Sequence, residues 1–225
     1  MSRRPVTVAA EDPWVRWDWV ADHRDDITAR LIEHIELVAI ALAVGLVIAV
    51  PLGVAAWRWK RLYPPVLAVM GVLYSIPSLA LLAFLIPWTG LTTTTSEIML
   101  IGYTLLILIR NTVAGLDSVP EEVQEAARGM GYSANRQLLR IELPLAVPAI
   151  IAGVRITAVT TIGLATITAL IGQGGLGAFV LDGLRRDFRT PLVVGTVLTV
   201  ALAVVLDIGL AGLQRLLTPW NRRRA

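Results

Sequence analysis

Five stretches of the chain are long, apolar and almost free of charge. Leu37 to Trp57 carries none and is bounded by Glu36 and Arg58, and Leu62 to Ser96 also carries none. Ile98 to Leu116 holds only Arg110, Leu145 to Gly172 only Arg155, and Pro191 to Leu217 holds Asp207 and Arg215. A helix needs roughly 20 apolar residues to cross the ~30 Å hydrocarbon core of a bilayer. Four of the stretches fit that length, whereas Leu62 to Ser96 is too long for one helix and cramped for two. Taken as one helix over 64–88, bent at Pro77 and followed by a polar loop from Thr89 to Ser96, it completes a set of spans at 37–57, 64–88, 98–116, 145–172 and 191–217. The pattern predicts an all-α membrane protein with about five transmembrane helices.

Basic residues set the orientation. With five spans, the segment Arg58–Arg61, the 117–144 loop and the C-terminal tail share one side. That side holds Arg58, Lys60, Arg61, Arg128, Arg136, Arg140, Arg215, Arg222, Arg223 and Arg224. Cytoplasmic loops carry the excess of Lys and Arg, so the N-terminus is expected outside and the C-terminus, with its basic tail 218–225, in the cytosol. The tail 1–36 lacks the apolar core of a signal peptide. Its Trp14, Trp17 and Trp19 suit either an interfacial helix resting on membrane lipids or one wall of an aromatic cage for a cation.

Composition agrees with the pattern. The chain has 225 residues, 56% hydrophobic and only 16% charged, where a soluble domain is about a quarter charged. The net charge of +3 follows from arginines flanking apolar runs, so no nucleic-acid partner is implied. Cysteine is absent, which removes thiol chemistry and zinc-cysteine sites, and His23 and His34, the two histidines, are too few for a histidine-rich metal site. A phosphate-binding P-loop requires Gly-Lys-Ser/Thr, but Lys60 sits between Trp59 and Arg61. Gly172-Gln-Gly174-Gly-Leu-Gly177 matches G-x-G-x-x-G, yet it follows a membrane helix rather than a strand, so it reads as a tight turn with close helix packing. No catalytic constellation, cofactor or metal is expected.

Charges inside a span are costly and need partners or an escape to the headgroups. Arg155 and Asp207 lie at a shared depth, about 15 Å from the cytosolic ends of their spans, and Arg110 lies about 9 Å deep. Arg155 and Asp207 either pair or sit separately, with each arginine snorkelling to the inner surface.

The 117–144 loop holds the most specific motif. It reads Glu125-Ala126-Ala127, three residues, Gly131, nine residues, then Ile141-Glu-Leu143-Pro144. Pro120, Glu121 and Glu122 suit a helix start, Gly131 a sharp turn, and Ser133 or Asn135 a second cap. The outcome is a compact helix-turn-helix knob, with Ala126 and Ala127 expected on its docking face.

This motif resembles the EAA loop of ABC importer permease subunits, with every element at the family's spacing. Ile48-Ala-Val-Pro51-Leu-Gly53, Ser75-Ile-Pro77-Ser-Leu-Ala80, Ile109-Arg110-Asn111-Thr112 and Ile171 to Gly177 are similar to the glycine betaine/carnitine/choline osmoprotectant branch, with the methionine importer branch as a relative. The resemblance implies a type I ABC importer permease (MetI-like) fold in a bacterial or archaeal plasma membrane. It also implies import of a betaine-like solute, separate ABC ATPase subunits gripping the loop, a second permease subunit, and an extracytoplasmic substrate-binding protein. Thr160, Thr161 and Thr166 are candidates for the pathway. A methionine or amino-acid importer is the alternative within the class. The rival readings outside it are a structural or assembly membrane protein with no transport cycle and an ion-coupled secondary transporter with Asp207 as coupling carboxylate.

Overall fold

The computed structural model describes residues 13–219, and all the regular secondary structure among them is helical. A six-residue helix α1 (Trp17–Asp22) leads into α2 (Arg24–Arg58), followed by α3 (Tyr63–Ser75), α4 (Ser78–Thr89) and α5 (Thr93–Asp117). The loop after α5 forms α6 (Glu121–Gly129) and α7 (Ala134–Gln137), then one π-helical turn (Leu138–Glu142) that runs unbroken into α8 (Leu143–Ala165). A 3-10 segment (Thr166–Ile171), α9 (Gly177–Arg186) and α10 (Arg189–Leu217) complete the chain. The expectations for residues 1–12 and for Arg222–Arg224 of the basic tail lie outside the described residues.

The stretch around Pro77 is not one bent helix. α3 and α4 meet at 93°. Pro77 has no N–H to continue the ladder and pushes Ile76 out of helical geometry, and Ile76 is extended at φ −66°, ψ 128°. In hydrocarbon a freed carbonyl needs a partner; the Tyr103 hydroxyl of α5 donates to the Ile76 carbonyl. The polar loop also ends sooner than expected. Thr92 caps α5, its hydroxyl accepting from the Thr95 amide at 3.4 Å, so residues 93–96 are helical rather than loop.

Contacts at the helix ends place the start of α3 and the end of α4 at opposite ends of the helix bundle. At one end, Trp57 Nε1 donates to Asp117 Oδ1 (3.0 Å), joining the close of α2 to the close of α5. At the other, the Thr93 hydroxyl donates to Gln173 Oε1 (2.9 Å), joining the start of α5 to the turn after α8. The chain must therefore pass from the first end to the second between Arg58 and Thr93. α10 begins at the second end, where the Arg16 amide donates to the Thr190 hydroxyl (3.0 Å). It returns to the first, where Gln214 Nε2 donates to the Pro148 carbonyl (3.1 Å). With the α3–α4 pair counted as one broken span the chain makes five passes, with Trp17 at the end opposite the 117–144 loop and Leu217 at the same end as that loop.

α5 is the central helix, lying against α2 and α8, and it supplies Met99, Leu100, Leu108, Ile109 and Leu116 to the core. Small residues bring these helices close. A Cβ on Gly53 would stand 2.8 Å from Thr112 Cβ, and one on Gly115 2.9 Å from the Ala146 carbonyl oxygen. α10 and the α3–α4 pair bury few residues: Thr190, Pro191 and Gly195 in α10, and only Leu81 and Leu82 in the pair.

The glycine-rich turn after α8 is a packing device. Gly172, Gly174 and Gly175 have φ of 82°, 111° and 50°. A Cβ on Gly175 would lie 2.5 Å from the Arg30 carbonyl oxygen, and the Gly174 amide donates to Glu33 Oε1 at 3.1 Å. The turn thus presses against the start of α2, and it has no strand before it.

Candidate functional site

The 117–144 loop folds into a knob built from local signals. Pro120 is the N-cap of α6, and Glu121 and Glu122 sit in its first turn with Arg128 in its last, the arrangement that complements the helix dipole. α6 closes through Met130 N–H to the Ala126 carbonyl (3.0 Å) and Tyr132 N–H to the Ala127 carbonyl (3.2 Å). Gly131 makes this closure at φ 79°, a backbone state that costs residues with a Cβ. Ser133 takes the N-cap position of α7 without a side-chain cap bond, and Asn135 instead accepts from Arg58 Nη1 at 2.7 Å.

The knob is held from below. Leu116, Leu138 and Ala146 form a buried cluster with Val54, Trp57 and Leu143 around it, and Gln137 Nε2 donates to Glu142 Oε1 at 2.7 Å inside the fold. Ile141 and Pro144 are half-buried at the same foot. A cavity of about 700 Å³ separates the end of α2 from α6 and α7, with Lys60, Asp117, Glu121 and Arg128 among its lining residues.

One expectation is corrected here. Ala127 is 0% exposed and packs into the knob, so it cannot present its methyl to a partner. Glu125 and Ala126 are exposed. Val123, Met130 (67% exposed) and Leu139 (65% exposed) of the same loop are exposed as well. Sequence reasoning did not single out Met130 and Leu139, two large apolar residues in a segment rich in Arg and Glu.

Within the spans, Arg155 and Asp207 form a bidentate pair: Nε to Oδ1 at 2.8 Å and Nη2 to Oδ2 at 2.9 Å. Two parallel charge-assisted bonds fix the register of α10 on α8. Arg110 is exposed on α5 and has no ion pair among the described residues. Thr160 is half-buried, donates to the Ile156 carbonyl (2.8 Å) and borders a groove of about 530 Å³ with Arg155 and Asp207. Thr161 is buried among the helices, so it lines no open path. Thr166 donates to the Gly163 carbonyl (2.7 Å) where α8 tightens into the 3-10 segment.

At the opposite end, Trp19 stacks on His23 with ring centroids 4.2 Å apart and meets Phe179 and Phe188 edge-on. Trp14 and Trp17 remain largely exposed. The three tryptophans therefore do not act as one unit.

Residues 41–223 match the family described as binding-protein-dependent transport system inner membrane component. The chain belongs to this family. It is a multi-pass inner-membrane permease component of the ABC importer class, a transport subunit rather than an enzyme in itself. Among its relatives is the choline transport system permease protein OpuBB of Bacillus subtilis (strain 168), 37% identical over 192 residues, covering 85% of this chain and 88% of the relative. The osmoprotectant import permease protein OsmW of Salmonella typhimurium is 37% identical over 208 residues, covering 89% and 96%. The fold is that of a chain of the MetNI methionine ABC transporter in inward-facing conformation, with a TM-score of 0.78, 24% identity and coverage of 85% and 96%.

Proposed function

We propose that this permease forms the membrane passage of an ATP-driven, binding-protein-dependent importer for a small osmoprotectant such as glycine betaine, choline, carnitine or proline. The observation that carries the reading is identity of more than one third, over nearly the whole length, with permeases of choline and osmoprotectant import. The likeness to the methionine transporter, at 24% identity, speaks for the fold alone. Five helices per chain call for a second permease subunit to enclose a path. ATPase subunits dock on the knob at the cytosolic end, with Glu125, Ala126, Met130 and Leu139 facing them. A substrate-binding protein docks at the other end, near α1 and α9.

Labelled glycine betaine, choline, carnitine and methionine uptake at high osmolarity, with and without this chain, tests the substrate. Deletion should abolish uptake of a betaine-like solute in a strain without redundant importers. Loss of methionine uptake with betaine uptake intact would move the chain to the methionine branch.

A further inference from the structure

The Arg155–Asp207 pair sits where neither bare lipid nor headgroups can serve it. Arg155 is twelve residues into α8 and Asp207 ten residues from the end of α10, so both lie about 15 Å or more from the helix ends. Both hydrogen bonds lock the guanidinium onto the carboxylate, so it is not free to snorkel. Even so, the two side chains remain 32% and 36% exposed on the surface of the chain. The exposed edge opens into the groove formed with Ala152, Ile156, Val159 and Thr160. A charge pair left partly bare against hydrocarbon is unfavourable, and such groups face a bundle interior or a water-filled cavity.

We infer that the α8–α10 groove around Arg155 and Asp207 is a wall of the water-filled solute path, and that it gives a zwitterionic quaternary-ammonium solute a transient resting place. The inference rests on the proposed import of such a solute. Asp207 uses two of its roughly four acceptor positions and Arg155 two of its five N–H groups in the pair. The unused carboxylate lone pairs attract an ammonium, and the unused N–H groups attract a carboxylate. Because the pair is neutral overall, it contacts both ends of a zwitterion without holding either one tightly. Thr160 and the apolar Ala152, Ile156 and Val159 provide a surface for methylated carbons.

The chain has no cysteine, so single cysteines report directly. Thr160→Cys and Ile156→Cys probe the groove. Val205→Cys, two residues from Asp207 and therefore about 200° around α10 from it, probes the opposite face, which is exposed. Each variant is assembled with its ATPase subunits in liposomes and treated with a water-soluble trimethylammonium thiol reagent. Only the thiolate reacts, and apolar surroundings raise a thiol's pKa, so at least a roughly tenfold faster reaction is expected in the groove than at position 205. Millimolar glycine betaine should slow the groove reaction alone.

Groove cysteines as inert as Val205→Cys would overturn the inference, and so would copy-to-copy disulfides without labelling. Labelling that glycine betaine leaves unchanged would overturn the resting place. Betaine uptake by the cysteine-free protein is measured in parallel. Its failure would sink the substrate reading, while the labelling pattern judges the groove separately.

Discussion

Replacing Gly131 with valine separates backbone strain from crowding. The residue has φ 79°, and a Cβ there would meet no heavy atom within 4 Å, so valine has room and only the backbone state resists it. For an L-residue that state costs about 1–2 kcal/mol, which lowers occupancy of the turn roughly 5- to 30-fold. A β-branched side chain lies at the upper end of this range. Asparagine tolerates the left-handed region and should lose least, with alanine between. The core under the knob, Leu116, Leu138 and Ala146, is untouched by any of these changes. The permease should therefore insert and melt as wild type while holding its ATPase subunits less well, in the order Gly, Asn, Ala, Val. The assay is retention of ATPase on the purified permease, with betaine-stimulated ATP hydrolysis in liposomes. Wild-type retention and hydrolysis in Gly131→Val would refute the argument. Equal damage from asparagine and valine would also refute it, because bulk rather than φ would then be responsible.

The remaining predictions test burial, packing and orientation. Ala127→Trp should disorder the knob, since overpacking a filled site costs about 1–3 kcal/mol, and limited proteolysis within 117–144 should report it. Ala126→Trp, on an exposed position, should leave proteolysis unchanged while reducing ATPase retention. Gly53→Val pushes α2 from Thr112 of α5 and should lower the melting temperature in detergent, whereas Gly209→Val, with no neighbour within 4 Å of its Cβ, should not. Ser133→Cys should react with an impermeant thiol reagent only after the cells are opened; labelling in intact cells would reverse the proposed orientation.

The chain's pattern was enough to reveal a helical membrane protein with four to five spanning segments, because hydrocarbon accepts only apolar segments whose backbone groups bond within the segment. The knob was equally legible, since Pro120, Gly131 and the I-x-L-P stretch act over a few residues. Azimuth and distant contacts were not legible. Depth along a helix follows from counting, and it placed Arg155 level with Asp207; which way each side chain points depends on how α8 and α10 pack, 52 residues apart. Pro77 announced a bend, but the 93° angle needed Tyr103 from another helix to satisfy the freed carbonyl. Ala126 and Ala127 look alike in sequence, and only the packing of the knob buries one and exposes the other. Likewise, the glycines at 172–177 signalled tight packing, but only the folded chain showed that their neighbour is the start of α2, because that contact joins segments some 140 residues apart.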